Sequence, residues 1–401
     1  MFLLSHHNVT EYLSNSGVFA QQELSGLALE VGKLNTKNFS IIATLQDGRK
    51  FIVKQERPTL SGILSQEIFN EWQFQSMMGD IPQLNILQVF IREMLVYDHD
   101  NFIAIYKYLD NYQELYTGIL RSPMAGRSPS RKVLPLTIPG WVAAILAQIH
   151  RSTFNCEAAC TYVTQAGSFW HKQGAAFTFL QSRITPEILS IMHPDYIKFI
   201  SLYQRYESLE QARLEAISSW RACSVVHNDL NIANILVHED WENITSFHEA
   251  QKQSATKIID WERSSWGDPV FDLASFITNY ITLWLSSMII DPSIEMEESV
   301  SSAEIKLEDV RPSIVIIVRE YLQYFPEITQ YFPDFFKKLI QFIGLSLIIQ
   351  TQAKIEHHKK LINSDIYCLQ VAKSLLCRPQ DSLISIFGMT EKELGGVTVS
   401  A

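Results

Sequence analysis

The stretch VVHNDLNIANILV, residues 225–237, places His227, Asp229 and Asn234 between two apolar runs. The apolar residues on either side have the composition of short buried strands, so the polar residues fall in the turn between them. Buried polar groups need hydrogen-bond partners, and a buried carboxylate needs a cation or a strong donor. Three such residues in a single turn therefore indicate a site as well as packing.

A second stretch, TKIIDWERSSWGDPVFDLASF at 256–276, places another carboxylate at the end of a strand. Lys257, Ile258 and Ile259 predict a strand that ends on Asp260. A strand-end carboxylate downstream of a polar turn predicts two acidic groups facing one cleft. Phosphoryl transfer from a nucleotide needs such a pair. One carboxylate accepts the proton of the attacking hydroxyl, and the other, with a carboxamide oxygen, holds Mg²⁺.

These two stretches together resemble a known family. His227, Asp229 and Asn234 reproduce the pattern H-x-D-x-x-x-x-N, and Asp260 stands at the position of the kinase-type metal aspartate. The segment IDWE followed by GDPVFDLA is similar to sequences of the aminoglycoside phosphotransferase and choline kinase branch of the protein-kinase-like superfamily. The resemblance is strongest over residues 225–275.

The resemblance implies a role for each matching residue. Asp229 would be the catalytic base, and Asn234 and Asp260 would be ligands of the metal ion. Glu262 would assist as a further metal ligand.

The same resemblance implies supporting residues around the turn. The ring of His227 would fix the turn by hydrogen bonds, and Asp272 would be a buried carboxylate that holds it. His150, in LAQIHRST, is predicted to be a packed helix residue outside the site.

Upstream, a nucleotide also requires a cation for its phosphates, and Lys54 follows the apolar run Phe51–Val53 as the kinase-like strand lysine does. Its carboxylate partner is expected on the next helix. Glu67 and Glu71 are four residues apart and share a face, so both remain candidates. Glu71 is preferred because it lies nearer the middle of an apolar stripe formed by residues Leu64, Ile68, Trp72 and Met78.

The phosphate-covering loop and the nucleobase hinge have weaker signals. Gly26 and Gly32 occur before the first hairpin, but the pattern G-x-G-x-x-G is missing. Backbone N–H groups from Gly32 onward would cradle phosphates, and an ordinary turn is the alternative. The segment IAIYKYLDN would be the hinge, with the nucleobase held near Tyr108 and Leu109.

Hydrophobic periodicity predicts an α+β fold in two lobes, which is the protein-kinase-like arrangement. A small antiparallel sheet with one main helix would form a nucleotide-binding lobe over residues 1–108. A larger, mostly helical lobe over 109–401 would carry the catalytic loop and the substrate site. The strand candidates are 38–54 (a hairpin turning at Asp47-Gly48), 83–97 and 101–110. The helical patterns are 64–78, 141–153, 185–222, 271–290 and 313–378. The predicted loops are 121–140, 238–255 and 291–311.

Composition limits the class of protein. The chain has 401 residues, of which 47% are hydrophobic and 19% charged, as in compact soluble proteins. Its net charge of −10 argues against sequence-independent binding to nucleic acid. The N-terminus lacks a secretory signal, and the uncharged run 274–290 is short for a membrane span. No membrane association is therefore expected. Five scattered cysteines without C-x-x-C spacing favour a reducing cytoplasm.

The predicted function is transfer of the γ-phosphoryl group of ATP, with GTP also possible, to a hydroxyl of a small molecule. Protein kinases carry an arginine where this chain has Asn228, and no A-P-E segment follows Asp260. Both departures favour a small-molecule acceptor. A protein-directed kinase and a nucleotide-binding pseudoenzyme are the alternatives. The acidic segment 291–311 is compatible with an amine-bearing acceptor or with a solvated loop.

Overall fold

The computed structural model describes residues 2–19, 24, 27–31, 38–58, 62, 64–115, 117, 134–164, 192–244, 246–289 and 293–396. The chain forms two compact units. The first comprises Met1–Gln113, Glu157–Lys172 and Leu236–Ser265, and the second comprises Glu114–Cys156, Gln173–Ile235 and Trp266–Ala401. Each is described by itself below.

The strands are β1 Ala28–Val31, β2 Phe39–Thr44, β3 Lys50–Gln55, β4 Met94–Asp98, β5 Ile103–Lys107, β6 Tyr112–Glu114, β7 Ser224–Val226, β8 Ile235–His238, β9 Thr256–Ile258 and β10 Ser265–Gly267. They form a five-stranded sheet in the order β1-β2-β3-β5-β4, a three-stranded sheet β6-β8-β9 and a two-stranded sheet β10-β7.

The α-helices are α1 Val9–Asn15, α2 Glu67–Asp80, α3 Pro82–Asn85, α4 Thr137–Thr153, α5 Glu157–Thr164, α6 Pro194–Gln204, α7 Glu207–Ser218, α8 Phe247–Gln253, α9 Pro269–Ser286, α10 Met296–Ser301, α11 Leu307–Tyr324, α12 Ile328–Tyr331, α13 Phe335–His358, α14 Asn363–Cys377, α15 Pro379–Phe387 and α16 Glu391–Gly395. Within the described ranges, 3₁₀ turns cover Gln88–Phe90, Ile232–Asn234, Trp241–Asn243 and Trp261–Arg263.

The predicted hairpin is confirmed as β2 and β3, which pair antiparallel from Phe39 opposite Gln55 to Thr44 opposite Lys50. Gly48 takes a φ of +87°, a conformation that glycine adopts without steric cost. The preceding Asp47 side chain accepts a hydrogen bond from the backbone N–H of Arg49 at 3.0 Å.

Alternation along β3 and β5 sorts their side chains onto two faces of the large sheet. Phe51, Val53, Ile103 and Ile105 pack in a core with residues of α1. The residues between them face the other way, where Ile52, Ala104 and Tyr106 form a cluster with Ile68 of α2. Because Lys54 has the same parity as Ile52, it lies on the face that α2 covers.

Helix α2 confirms the helix expected at 64–78, but its start and the burial of one predicted stripe residue differ from the prediction. It begins at Glu67, so Leu64 precedes it, and Trp72 is only half-buried. Glu71 is buried, as its place in the expected stripe required.

The strand expected across 83–97 was wrong for its first half. Pro82 begins α3, the 3₁₀ turn Gln88–Phe90 follows, and strand β4 starts only at Met94. Proline is well suited to the first turn of a helix, and that local preference outweighs the apolar run that followed it.

The second unit is built on helix α9, which is buried on nearly every face and packs on α13, α11 and α4. This confirms that the uncharged run after residue 274 belongs to a buried helix. The helical patterns predicted at 141–153, 192–222 and 313–378 are also confirmed. Residues 185–191 of the second pattern lie outside the described part. No described helix is long and apolar enough to cross a membrane.

Two predicted loops contain helices. Helix α8 lies within 238–255, and it begins where the Ser246 side chain accepts from the backbone N–H of Glu249 at 3.2 Å. Helix α10 and the start of α11 lie within 291–311. The capping serine was a usable signal, but the polar composition around it obscured the helix. The α+β fold class is confirmed.

Candidate active site

In the first unit, Lys54 and Asp260 meet although they are 206 residues apart in the chain. The Nζ of Lys54 donates to Oδ1 of Asp260 at 2.8 Å, and the lysine side chain is only 4% exposed. Burial alone would lower the pKa of Lys54, but the carboxylates of Asp260 and Glu71 outweigh it and hold that pKa above its ordinary value. The lysine is therefore a buried side chain that is charged at neutral pH.

Glu71 is connected to the same network through the side chain of Tyr106. Its Oε2 accepts from the Tyr106 hydroxyl at 2.7 Å, and the Lys54 ammonium lies 5.4 Å from the centre of the Tyr106 ring. Burial raises the pKa of Glu71, against the lowering effect of Lys54. Glu67 lies 4.0 Å from Nε of Arg263, whereas the charge of Glu71 is among those that raise the pKa of Lys54.

Arg92 brings a second cation to Asp260. Its Nη1 lies 3.9 Å from the Oδ1 atom that Lys54 contacts. The arginine side chain is 9% exposed. Asp260 therefore faces two buried cations, which stabilise its charged form.

The segment after Asp260 is fixed to helix α2. The Asn70 side chain donates to the backbone carbonyls of Glu262 and Ser264 at 3.2 and 3.1 Å. The rings of Phe74 and Trp261 stack in parallel with their centres 3.9 Å apart. These contacts hold Asp260 in a left-handed conformation with φ +60°, which costs a non-glycine residue about 1 kcal/mol or more.

Glu262 follows Asp260 in the same turn, and the charges of the Lys54–Asp260 network act on its carboxyl group. Burial and the neighbouring carboxylates of Asp260 and Glu67 together raise the pKa of Glu262 to about 8, although Lys54 opposes them. A carboxyl with this pKa holds a proton at neutral pH until a cation arrives.

In the second unit, the turn that carries Asp229 is held by the buried carboxylate of Asp272. Oδ2 of Asp272 accepts from the backbone N–H of His227 at 2.6 Å, and Oδ1 accepts from that of Asn228 at 2.9 Å. The supporting role predicted for Asp272 is thus confirmed. Asn228 has a φ of +63°, which asparagine tolerates better than most residues.

The His227 ring fixes the next residue, as predicted. Its Nδ1 accepts from the backbone N–H of Asp229 at 3.2 Å, and the side chain is fully buried. Asp229 itself is half-buried, and the Asn231 side chain donates to its Oδ1 at 3.4 Å.

Asn234 is oriented by its own turn. Its Nδ2 donates to the backbone carbonyl of Asp229 at 2.8 Å, so the amide oxygen is the atom left to accept a cation. The Asn279 side chain of α9 stabilises the part of the turn between Asp229 and Asn234. It donates to the carbonyl of Leu230 at 3.0 Å and accepts from the N–H of Ile232 at 3.3 Å.

His150 is buried behind this turn and does not reach its surface. Its Nε2 lies 3.3 Å from Oδ2 of Asp272, and its Nδ1 lies 2.9 Å from the Tyr321 hydroxyl. Its packed position agrees with the prediction that it stands outside the site.

The remaining predicted nucleotide contacts are less defined. Tyr108 and Leu109 are half-buried and follow strand β5, and the N–H of Tyr108 donates to the Lys50 carbonyl at 3.2 Å. Gly32 lies outside the described residues.

Three residues of the first unit were missed by the sequence analysis: Asn70, Arg92 and Tyr106. Asn70 has a signal in hindsight, because a spacing of three and four residues places it on the face of α2 that carries Glu67 and Phe74. Tyr106 lies near Lys54 only because β3 pairs with β5. Arg92 has only the unusual position of a charged residue inside the apolar run VFIREM.

Comparison with known proteins agrees with these features. The family described as "Phosphotransferase enzyme family" (APH) matches residues 105–298, which include Asp229, Asn234, Asp260 and Asp272. No protein of curated function matches the sequence.

Solved structures resemble the chain over nearly its whole length. An amicoumacin kinase is 10% identical, with 92% of this chain and 96% of that chain covered and a TM-score of 0.51. The choline kinase of Streptococcus pneumoniae is 15% identical, with 93% and 99% covered and a TM-score of 0.43. A macrolide 2'-phosphotransferase type I is 16% identical, with 94% and 99% covered and a TM-score of 0.44.

The amicoumacin kinase shows that the fold is protein-kinase-like, as predicted. The family match adds that residues 105–298, which contain the Asp229 turn, resemble the corresponding part of the phosphotransferase family, as the sequence predicted.

Proposed function

We propose that the protein transfers the γ-phosphoryl group of ATP to a hydroxyl of a small molecule in a Mg²⁺-dependent reaction, with GTP as the alternative donor. The observation that carries the proposal is the buried Lys54–Asp260 pair at 2.8 Å. A charged lysine beside a strand-end aspartate is what a nucleotide's phosphates and their cation require.

Asp229 would act as the base. Its half-buried carboxylate stands on a turn fixed by Asp272 and His227, so it can accept the proton of a bound hydroxyl without first reorganising. Lys54 would supply positive charge to the phosphate oxygens, and Glu71 would keep it charged. Backbone groups of Tyr108 and Leu109, and of the turn at Gly32, would hold the rest of the nucleotide.

The donor set suits a hard divalent cation. Asn234 offers an amide oxygen and Asp260 a carboxylate, with Glu262 as a further ligand once it loses its proton. When bound, Mg²⁺ would neutralise charge that develops on the phosphates. The amicoumacin kinase has been solved with AMP-PNP and Ca²⁺, which supports a nucleotide and a divalent ion here.

The acceptor is proposed to be a small molecule, because Asn228 replaces the arginine with which protein kinases bind a phosphorylated loop. An amine-bearing acceptor is the first class to test, since residues 291–311 carry seven acidic side chains against one lysine and one arginine. The buried thiols Cys223 and Cys368 are consistent with action in a reducing cytoplasm.

The proposal is tested by a screen of alcohols and amino-alcohols with γ-labelled ATP and Mg²⁺. Wild-type protein should label at least one acceptor, and Asp229→Asn should label none detectably while binding nucleotide equally well. Label appearing in added polypeptides and in no small molecule would contradict the assignment of the acceptor. Nucleotide binding without transfer to either class would instead indicate a pseudoenzyme.

A further inference from the structure

The first unit contains a cavity of about 490 Å³ beside the Lys54–Asp260 network. We call it the Arg92 cavity. Trp72 and Gln75 of α2, Gln88, Arg92, Glu93 and Lys257 of β9 are among the residues that line it. This volume is typical of sites for small metabolites. Nothing in the proposed transfer reaction uses the cavity.

Two buried N–H donors in this lining have no hydrogen-bond partner among the residues that the structure describes. They are Nε of Arg92 and Nε2 of Gln75. The Gln75 amide is held in place, because its oxygen accepts from the backbone N–H of Met94 at 2.8 Å. A buried donor without a partner is unfavourable, so both donors favour a ligand that offers acceptor atoms.

The charges around the cavity favour an anion. Arg92 and Lys257 contribute two cations, and Glu93 is the carboxylate among the lining residues. Glu93 is exposed and lies 3.9 Å from Nζ of Lys107, so Lys107 offsets it. The Lys257 Nζ donates to the carbonyls of Val89 and Ile91 at 2.7 and 3.4 Å, which leaves one of its three hydrogens for a ligand.

We propose that the Arg92 cavity binds a small anionic metabolite through a carboxylate or phosphate group. Its oxygens would accept from Arg92 Nε, Gln75 Nε2 and Lys257 Nζ. Water would satisfy the two unpartnered donors, but only an anion would also pair with the charges of Arg92 and Lys257 that line the cavity. The indole of Trp72, which is half-buried at this cavity, would pack on the apolar part of the ligand.

Arg92 would couple this cavity to Asp260, a consequence that rests on the proposed function. Arg92 lines the cavity, its Nε has no partner among the described residues, and its Nη1 lies 3.9 Å from Asp260. A cation so close to a metal ligand opposes Mg²⁺ binding. An anion on Arg92 would offset that charge, so anion and Mg²⁺ should each bind more tightly when the other is present.

The test is calorimetric titration of the full-length protein with sodium phosphate and sodium succinate as separate probes. Gln75→Glu keeps the oxygen that Met94 needs and replaces the donor with a carboxylate oxygen. It should weaken binding of each bound probe about tenfold or more. Lys257→Met should weaken it as well. The matched control is Gln83→Glu, the same chemical change at an exposed position on α3, which should leave affinity unchanged.

Lys54→Met distinguishes the two anion sites of the first unit. Probe binding that survives Lys54→Met and is weakened by Gln75→Glu supports the Arg92 cavity, with or without any transferase activity. Binding that is lost in Lys54→Met and unaffected by Gln75→Glu belongs to the nucleotide site and overturns the proposal. Failure of both probes to bind the wild-type protein also overturns it, because the cavity would then hold water alone.

Discussion

The Lys54–Asp260 network of the first unit and the Asp229 turn of the second unit are stabilised in different ways. The network joins charged side chains from distant parts of the chain, among them Lys54, Glu71, Arg92 and Asp260. The turn is one short segment in which the backbone N–H groups of His227 and Asn228 both donate to a single carboxylate, that of Asp272. One region is held by charge pairing, and the other by backbone hydrogen bonds.

This difference determines how each region should respond to mutation. In the network every charge is a partner of another, so removing one leaves a buried charge uncompensated and affects stability and ligand binding together. In the turn, the carboxylate of Asp229, the proposed base, is not the one that accepts from the backbone N–H groups of His227 and Asn228, so we expect that chemistry can be lost without structure. The predictions below test that separation.

The largest expected effect is that of Asp229→Asn on turnover. An amide cannot accept the proton of the attacking hydroxyl, so kcat should fall by about 10²- to 10⁴-fold. The free energy of unfolding and the nucleotide affinity should stay near wild type. Steady-state kinetics on an acceptor from the screen, with calorimetric titration of nucleotide, measure both. Equal losses in binding and turnover would show that Asp229 stabilises the site itself. The turn would then not differ from the Lys54–Asp260 network in its response to mutation.

Asp260→Ala should produce the opposite pattern. Nucleotide affinity should no longer depend on Mg²⁺, because the carboxylate ligand is gone. The free energy of unfolding should also fall, by at most about 3 kcal/mol since Asp260 is 27% exposed, because Lys54 loses its partner. Titrations with and without Mg²⁺ and denaturant unfolding measure these changes. Asp100→Ala, at an exposed turn of the same unit, is the control. Unchanged Mg²⁺ dependence would remove Asp260 as a ligand.

Asp272→Asn should weaken the turn alone. An asparagine offers one acceptor oxygen where Asp272 uses two, so one buried N–H of His227 or Asn228 loses its partner. The expected result is a fall in kcat of about tenfold or more, with unfolding weakened by about 1–3 kcal/mol. Nucleotide affinity and its Mg²⁺ dependence should persist, which separates this variant from Asp260→Ala. Loss of nucleotide binding would mean that the two regions are not independent.

The two regions also differ in how far sequence alone could predict them. The turn could be predicted from sequence because Asp229 and Asn234 are only five residues apart, so their relative positions depend on local geometry. The contributions of Arg92 and Tyr106 could not be predicted. The position of Tyr106 beside Lys54 depends on the pairing of Lys54 with Ala104 across β3 and β5. The approach of Arg92 to Asp260 depends on the 3₁₀ turn at Gln88–Phe90, where the apolar run had predicted a strand.

Tyr106→Phe should have a moderate effect confined to the network. It removes the hydroxyl that donates to Glu71 at 2.7 Å, so a buried carboxylate loses a hydrogen bond. Unfolding should be easier by about 1–3 kcal/mol, and kcat should change little. Tyr97→Phe is a matched control, because the buried Tyr97 hydroxyl has no partner within the described chain. It should cost almost nothing. Equal costs for the two variants would show that the Tyr106–Glu71 bond contributes no stability.

The smallest effect is a pH dependence at the edge of the network. Burial and the nearby Lys107 lower the pKa of Lys257 to about 8, while Glu93 opposes them. The folded protein therefore binds fewer protons than the unfolded chain between about pH 8 and the ordinary lysine pKa of about 10.4, so this group makes unfolding harder as pH rises through that window. Lys257→Met removes the titration. Its unfolding free energy relative to wild type should accordingly fall from pH 8 to pH 10, as followed by urea unfolding. A difference that stays constant with pH would show that Lys257 keeps its ordinary pKa and that the interior beside Arg92 is well solvated.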